Sequence, residues 1–229
     1  MNTYRQRMPW YGRQTRQPLM LAGALAATAL YWFPLRRWFA RWGTTPDERT
    51  RVMPGDALMP IPTITGTGAV TVDAPPEDIW PWLVQMGHQR GGLYSYDWLD
   101  RMFGFLDRPS ATRILPEFQQ LAVGDTIFFG REELTVSVLE PLRALVLSYH
   151  ARGMEWVWQF GLYPVDGQRT RLIQRGTQRV PKTPVWWLLM RIAEPAGFIM
   201  TRRFLLGVKQ RAEALRASAS PPVERAAVA

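Results

Sequence analysis

The chain has 229 residues, of which 47% are hydrophobic, so it can bury a sizeable core and is too apolar to be a disordered polymer. It contains no cysteine, which excludes disulfides and thiolate metal sites, and its two histidines, His88 and His150, lie far apart in sequence. The formal net charge of +9 comes mostly from arginine and includes no dense basic block, which favours an anionic membrane surface over nucleic acid as a partner.

The first apolar segment is residues 18–35, which carry no charged side chain. At about 1.5 Å per helical residue, this length is just enough to span a hydrocarbon core of about 30 Å. Arginines flank the segment on both sides, and several aromatic residues are placed where interfacial belts belong: Trp10, Tyr11, Trp32, Trp38 and Trp42. We predict a single transmembrane helix at 18–35, preceded by a basic leader at residues 1–17. A cleaved signal peptide and a buried helix are the alternatives.

Residues 36–64 follow this segment and are rich in Pro, Gly and Thr from Gly43 onward. Because such residues sustain neither ladder of backbone hydrogen bonds for long, we predict an extended juxtamembrane linker. The low-complexity end, residues 217–229, predicts a disordered tail. Residues 65–216 are then expected to form one folded domain.

That domain begins with a predicted strand at residues 68–73. Its side chains alternate in polarity, and several of them are β-branched. Two prolines end the strand, and Glu77 and Asp78 then occupy the first turn of a helix, where carboxylates complement the dipole. The helix is predicted to end at Gly87 and to bury one stripe, made of Ile79, Trp82, Leu83 and Met86. A second short helix is expected over residues 95–103.

Beyond Pro116 the hydrophobic period changes to two, which predicts an antiparallel meander, since the connections have hairpin lengths. The predicted strands cover residues 124–130, 133–140, 144–150, 155–165 and 170–178. In the fourth strand Trp156, Trp158 and Phe160 share one face, whereas Glu155 and Gln159 lie on the other. This pattern predicts a curved sheet with one solvent-exposed side.

The aromatic face needs a cover, and the last long segment, residues 184–215, supplies one. Apolar residues recur there every four positions opposite charged ones: Ile192, Ala196, Met200, Phe204 and Val208 against Arg191, Arg202, Lys209 and Glu213. We predict one amphipathic helix, kinked at Pro195, lying across the sheet. The fold class is therefore α+β, a curved antiparallel sheet around a long C-terminal helix, preceded by a single N-terminal transmembrane helix.

Four segments carry a resemblance to a known superfamily: AVTVDAPPEDIWPWLVQMG, RGGLYSYDWL, LAVGD and TRLIQR. With this element order, the chain resembles the SRPBCC superfamily, the helix-grip fold of START, Bet v 1 and polyketide-cyclase proteins, and most of all a bacterial subgroup of unassigned activity. The resemblance covers about residues 65–215. It implies a sheet gripping a long helix around an apolar cavity for lipids, sterols or polyketides, adapted to cyclisation or dehydration in some relatives. It transfers no catalytic residue.

The candidate cavity lining is mostly aromatic, because ring faces bind apolar ligands and tyrosine hydroxyls orient them. The set is Trp82, Met86, Tyr94, Tyr96, Trp98, Trp156, Trp158, Phe160, Arg175, Met200 and Phe204. For each aromatic residue the alternative is ordinary core packing. Arg175 would hold a ligand carboxylate or phosphate if its strand face points inward. An outward orientation avoids burying an unpaired guanidinium.

Candidate chemistry is limited to proton transfer by Asp97, assisted by His88 or Tyr94. The alternative is that Asp97 is exposed or pairs with Arg101, and that His88 is only a loop residue. No phosphate loop, nucleophile elbow, paired-carboxylate motif or metal signature occurs, so we expect no cofactor.

A cluster at the start of the last helix, Trp186, Trp187, Leu188 and Leu189 with Arg191, either touches a bilayer or simply begins that helix. Three functional hypotheses follow. The leading one is a membrane-anchored domain that binds an apolar small molecule such as a lipid, isoprenoid or polyketide-like compound. The second is an enzyme of the cyclase, aromatase or dehydratase type, and the third is an interaction protein with a filled core. The volume and polarity of the cavity distinguish them.

Overall fold

The computed structural model describes residues 16–151 and 153–219, and the chain divides into two compact units, residues 1–38 and 39–229. The helices and strands are α1 Arg16–Leu30, α2 Arg36–Phe39, α3 Pro46–Thr50, β1 Ile64–Val72, α4 Pro76–Val84, α5 Asp97–Met102, β2 Thr126–Phe129, β3 Glu132–Glu140, β4 Ala144–Ala151, β5 Met154–Pro164, β6 Thr170–Arg179 and α6 Pro184–Ala219. A π-helical segment, Tyr31–Leu35, and two 3₁₀ turns, Asp56–Leu58 and Pro116–Phe118, complete the assignment.

In the first unit, the segment predicted to span a membrane is α-helical only as far as Leu30. The next five residues are π-helical and include Pro34, which has no amide hydrogen to donate to the regular ladder. Among the described residues, no helix combines the length and the apolar content needed to cross a bilayer. Membrane attachment through residues 18–35 stays a prediction. The basic leader lies outside the described residues except for Arg16 and Gln17.

The second unit contains a six-stranded sheet in the order β1-β6-β5-β4-β3-β2, and every neighbouring pair is antiparallel. The predicted meander is therefore observed from β2 to β6, and the first strand completes the sheet by pairing with the last. The free edge of β1 is covered, because the Thr67 and Ala69 amides donate to the carbonyls of Ala40 and Trp42 at 2.9 and 3.1 Å.

The inner face of the sheet packs on α4 and α6 around the main core. The predicted stripe of α4 is buried, since Ile79, Trp82, Leu83 and Met86 are all at most 2% exposed. Helix α4 ends at Val84, three residues before the predicted glycine stop, whereas α6 continues through Pro195 to Ala219. This order of elements, with a long C-terminal helix on a six-stranded antiparallel sheet, is the α+β helix-grip architecture that the resemblance implied.

The outer face of the sheet differs from the expectation of an open, solvated side. Residues 43–64, interpreted as an extended tether, instead form α3 and a 3₁₀ turn and pack on this face. Met53 joins a buried cluster with Ala69 and Ile173, and Met59 joins another with Val146 and Val157. Proline and glycine interrupt the backbone hydrogen-bond ladders of helices and strands but are compatible with consecutive short turns. These turns bury the two methionines against the sheet.

Gln159 is one of the residues that this covering segment buries. It was predicted to face solvent, but it is fully buried. Its amide oxygen accepts from the Gly55 amide at 2.9 Å, and its amide nitrogen donates to Asp56 at 2.7 Å. The polar side chain marks a hydrogen-bonded contact beneath the covering segment, because a buried amide needs partners wherever it lies.

Candidate ligand-binding cavity

A cavity of about 620 Å³ lies between the inner face of the sheet and the first half of α6. Strands β1, β5 and β6, helix α6 and residues 93–105 all contribute to its wall. The wall is mostly apolar and includes Trp42, Leu93, Phe103, Phe105, Phe129, Met154, Trp156, Trp158, Met190, Ala193, Phe198, Met200 and Phe204. The core is therefore not filled, contrary to the interaction-protein hypothesis.

Two glycines make room for this cavity. Gly66 of β1 pairs with Gly176 of β6, which in turn pairs with Trp158 of β5. Both glycines line the cavity, and a Cβ placed on Gly66 would meet no atom within 4 Å. Two adjacent strands thus lack a side chain at the same level. The space beside Gly66 is open, whereas a Cβ on Gly176 would lie 3.4 Å from the Gln174 side-chain amide and 3.7 Å from Trp156 Nε1. Glycine inside a strand is a signal of such close approach, and sequence reasoning missed it at Gly66 and Gly176.

Aromatic rings form one continuous wall of the cavity. The ring centroids of Phe105 and Phe129 are 4.4 Å apart, and Phe129 meets Trp156 edge to face at 5.4 Å. Trp156 stacks on Trp158 at 5.4 Å, and Trp158 lies 5.6 Å from Phe204 of α6. These contacts hold the rings in place, so the wall is formed before any ligand enters.

Of the residues predicted to line a cavity, Trp156, Trp158, Met200 and Phe204 do so. Others belong to the core behind the wall and not to its lining: Trp82, Met86, Tyr94 and Phe160. Tyr96 and Trp98 are also absent from the lining, and Trp98 is 64% exposed. For the four residues in the wall, a ligand-binding role stays a prediction.

Arg175 lies on the opposite, outer face of the sheet and so does not reach the cavity. Its guanidinium is buried, pairs with Asp56 at 2.6 Å, and donates to the carbonyls of Glu48, Arg49 and Arg51 at the end of α3. Arg175 points outward, in agreement with the high cost of burying an unpaired guanidinium in the cavity. Residues 43–64 then cover the outer face and bury it there with partners. Arg175 is a structural residue that holds that segment on the sheet.

The candidates for proton transfer, Asp97, His88 and Tyr94, do not line the cavity, and each contacts other residues. Both carboxylate oxygens of Asp97 accept from Ser110, at 2.7 Å from the hydroxyl and 3.0 Å from the amide. Arg101 donates to the backbone carbonyl of Asp97, so their predicted carboxylate pairing is not observed. His88 Nδ1 contacts the Phe105 carbonyl at 3.2 Å, and the buried Tyr94 hydroxyl donates to the Trp82 carbonyl at 3.0 Å.

Three of the described acidic residues line the cavity, Glu132, Glu194 and Asp100, and sequence reasoning did not single out Asp100. It is fully buried and lines the cavity beside Ser95, whose hydroxyl donates to Oδ2. Burial raises the pKa of the Asp100 carboxyl; the Ser95 hydrogen bond lowers it, and nearby Asp97 raises it further. The pKa of Asp100 therefore lies above its ordinary value.

We expect the stability difference between the wild type and Asp100→Asn to depend on pH. Because the folded state binds the Asp100 proton more tightly than the unfolded state, wild-type stability falls as pH rises from the unfolded pKa, about 3.9, through the raised folded pKa. Asparagine cannot ionise, so the variant lacks this loss. Urea unfolding across a pH series should favour the wild type most at low pH, and a pH-independent difference would contradict the expectation.

Neither protein-family models nor curated proteins match the chain. Among solved structures, an aromatase/cyclase from Streptomyces sp. R1128 aligns over 69% of this chain and 99% of its own, with 16% identity and a TM-score of 0.40. A protein from Mesorhizobium loti aligns over 69% and 100%, with 16% identity and a TM-score of 0.38. CalU16 from Micromonospora echinospora aligns over 67% and 86%, with 16% identity and a TM-score of 0.33. Similarity at this level indicates nothing about the ligand or activity of this chain.

Proposed function

We propose that the chain binds an apolar small molecule, such as a lipid, isoprenoid or polyketide-like compound, in the cavity between the sheet and α6. The observation that carries this proposal is the cavity of about 620 Å³ with its aromatic wall. This volume falls within the range of about 300–1,000 Å³ typical of small-molecule sites. Transfer of an apolar ligand from water into this cavity would be favourable in free energy, and the ligand would contact aromatic rings that are already held in position.

Filling the cavity from Gly66 is expected to weaken this binding without unfolding the protein. Leucine at position 66 would project into open space, and the Gly66 backbone is not in a conformation reserved for glycine. We expect Gly66→Leu to weaken binding by about ten-fold or more, because its four added carbon atoms occupy space that the ligand needs, and overpacking of this kind costs about 1–3 kcal/mol. Native mass spectrometry of the full chain, followed by denaturation to release any bound molecule, measures the occupancy.

Gly66→Ala is the matched control, since it adds one methyl group and should retain most of the occupancy. A co-purified apolar molecule that Gly66→Leu excludes would support the proposal. A wild-type chain that carries nothing and takes up no lipid, sterol or polyketide-like compound would refute it, as would equal occupancy in both variants and the wild type.

An enzyme of the cyclase or dehydratase type is the second candidate, and Asp100 is the observation that favours it. A buried carboxyl with a raised pKa, in the wall of an apolar cavity, is suited to exchange a proton with a bound molecule. Incubation with polyketide-like compounds, followed by mass spectrometry, would reveal the loss of one water. Turnover that survives Asp100→Asn unchanged would argue against this role.

We also propose that the chain attaches to a lipid bilayer. Support comes from the first half of α6, where apolar side chains opposite the cavity are exposed: Val185, Leu188, Leu189, Ile192 and Ile199. The exposed cations Lys182 and Arg202 flank this stripe, and the net charge of +9 suits anionic head groups. Trp187 is also exposed, while its helix begins at Pro184, so both interpretations of this cluster are compatible with the structure.

Vesicle sedimentation tests the attachment. The full chain should sediment with vesicles containing phosphatidylglycerol, and Leu188→Glu combined with Ile192→Glu should reduce the bound fraction. If these two substitutions change nothing while deletion of residues 18–35 releases the protein, the N-terminal segment alone attaches it. Failure of the full chain to sediment would overturn the proposal.

A further inference from the structure

A glutamine occupies the wall of the cavity at the point where the cavity meets the main core. Gln174 of β6 is 5% exposed and lines the cavity. Leu172, two residues earlier on the same face of the strand, is fully buried in the core, so Gln174 lies where the core ends and the cavity begins. A buried carboxamide needs hydrogen-bond partners, and its partners therefore indicate what this part of the wall can bind.

The neighbours of Gln174 fix which way round its carboxamide lies. Two N–H donors face the same terminal atom of the amide, the Gly176 backbone amide at 3.2 Å and Trp158 Nε1 at 2.9 Å. Because two donors require an acceptor, this atom is assigned as the oxygen, Oε1, and the two bonds use both of its lone pairs. The nitrogen, Nε2, then occupies the opposite position, 3.8 Å from where a Cβ on Gly68 would lie.

The Nε2 atom of Gln174 has two hydrogens to donate, and in this orientation it bonds to no described residue. Trp82 Nε1 also lacks a partner, but it is closed off from solvent, whereas Gln174 Nε2 keeps accessible surface. Gly66 and Gly68 line the cavity beside it and leave the sheet bare there. A molecule in the cavity is therefore positioned to supply the missing acceptor.

The polar atoms around Nε2 constrain the chemistry of that acceptor. A hydroxyl could accept from Nε2, but its own hydrogen would then need an acceptor, and both lone pairs of Gln174 Oε1 are already used. Trp156 Nε1, 3.7 Å from where a Cβ on Gly176 would lie, is another donor. A carbonyl oxygen only accepts, so it satisfies Nε2 and brings no hydrogen that would be left unpaired.

The charged residues of the lining give no reason to expect an ionic ligand. They are of both signs, with Asp100, Glu132 and Glu194 against Arg191 and Arg202. Arg191 pairs with Glu194 at 3.1 Å, and all five belong to elements other than β1, β5 and β6, the strands around Gln174. Burying an ionised group in this mostly apolar wall would be costly, whereas a neutral carbonyl compound avoids that cost.

Building on the proposed function, we infer that the ligand is a neutral carbonyl compound, such as a ketone, quinone or ester, whose oxygen accepts from Gln174 Nε2. The carbonyl binds where the cavity meets the core, and the hydrocarbon body lies along Trp156 and the strip left bare by Gly66 and Gly176. Trp158 holds the amide in place by donating to Oε1. Gln174 thus fixes the orientation of the ligand, while the aromatic wall supplies the contact area.

Matched ketones and alcohols test this inference by calorimetric titration of the full chain. The pairs are 1-tetralone against 1-tetralol and 2-decanone against 2-decanol. The wild type is expected to bind each ketone about ten-fold more tightly than its alcohol, because the buried hydroxyl hydrogen finds no acceptor. Gln174→Met keeps the length of the side chain without its polar atoms and should lose most of this preference.

Gln178→Met is the matched control. Gln178 lies on the same face of β6 and also lines the cavity, but it is only partly buried. This variant should retain the preference for the ketone. Infrared spectroscopy of bound 1-tetralone adds a readout that a purely structural role of Gln174 would not move. A hydrogen-bonded carbonyl absorbs at lower frequency than a free one, so the C=O band should lie lower in the wild type and Gln178→Met than in Gln174→Met.

The two levels of the proposal fail differently. Equal wild-type affinity for both members of each pair, or tighter binding of the alcohols, overturns the carbonyl inference and leaves the cavity function intact. An identical C=O band in the wild type and Gln174→Met also overturns it, as does loss of the preference in Gln178→Met. Failure of the wild type to bind any of the four compounds overturns the proposed function itself. The wild-type comparison decides the question even if Gln174→Met does not fold.

Discussion

Arg175→Ala is expected to lower the free energy of unfolding by about 3–5 kcal/mol, the usual cost of breaking a buried ion pair from one side. The Arg175 side chain is 6% exposed, and it pairs at 2.6 Å with Asp56, whose side chain is 29% exposed. It also donates to Thr67 and to three carbonyls at the end of α3. Its removal would leave these acceptors without their donor and would loosen the segment that covers the outer face of the sheet.

Arg179→Ala is the matched control for this prediction. Arg179 lies on the same strand and pairs with Glu155, also at 2.6 Å, but these two side chains are 43% and 33% exposed. Exposed ion pairs contribute at most about 1 kcal/mol, so this variant should be close to the wild type in urea unfolding. Equal losses in the two variants would show that burial of the Arg175 site is not what matters.

Arg175→Lys separates the charge of this residue from its geometry. Lysine keeps the positive charge but lacks the planar fork that reaches several acceptors at once. We expect it to recover only part of the lost stability. Full recovery would mean that charge alone holds the covering segment.

Gly207→Ala is expected to destabilise the protein by about 2–3 kcal/mol through overpacking. Gly207 lies in α6 where the helix meets the loop that carries Tyr94. A Cβ at this position would come within 2.1 Å of the Tyr94 carbonyl oxygen, and the backbone there cannot move aside as a flexible side chain would. Tyr94 itself has a positive φ of 54°, and its ring packs under the Arg211 guanidinium at 4.7 Å. The whole helix would have to shift to relieve the contact.

Gly197→Ala provides a control of opposite sign in the same helix. A Cβ on Gly197 would meet no atom within 4 Å. Alanine is favoured over glycine in a helix interior by about 1 kcal/mol, so this variant should be slightly more stable than the wild type. Thermal unfolding of both variants checks the pair, and destabilisation by Gly197→Ala would indicate that helix propensity does not govern this part of α6.

The contrast between Asp97 and Asp100 shows why the candidate site was harder to predict than the fold. Helix α5 has only six residues, too few for periodicity to identify its buried side. Its apolar residues Trp98 and Met102 are each 64% exposed, while Asp100 is fully buried. This is the reverse of the usual amphipathic pattern, because contacts with distant parts of the chain decide which side of so short a helix is covered.

What the sequence by itself determined is the architecture that depends on repeating patterns. The period of two predicted the meander from β2 to β6, and the stripe from Ile79 to Met86 predicted the buried side of α4, since one covered face imposes such a pattern on local sequence. Tertiary structure alone decided the rest: the covered outer face beneath Met53 and Met59, the burial of Arg175 beneath the covering segment, and the space opposite Gly66 that becomes the cavity. These features depend on contacts between residues far apart in sequence. Such contacts produce no hydrophobic periodicity in the local sequence from which they could be predicted.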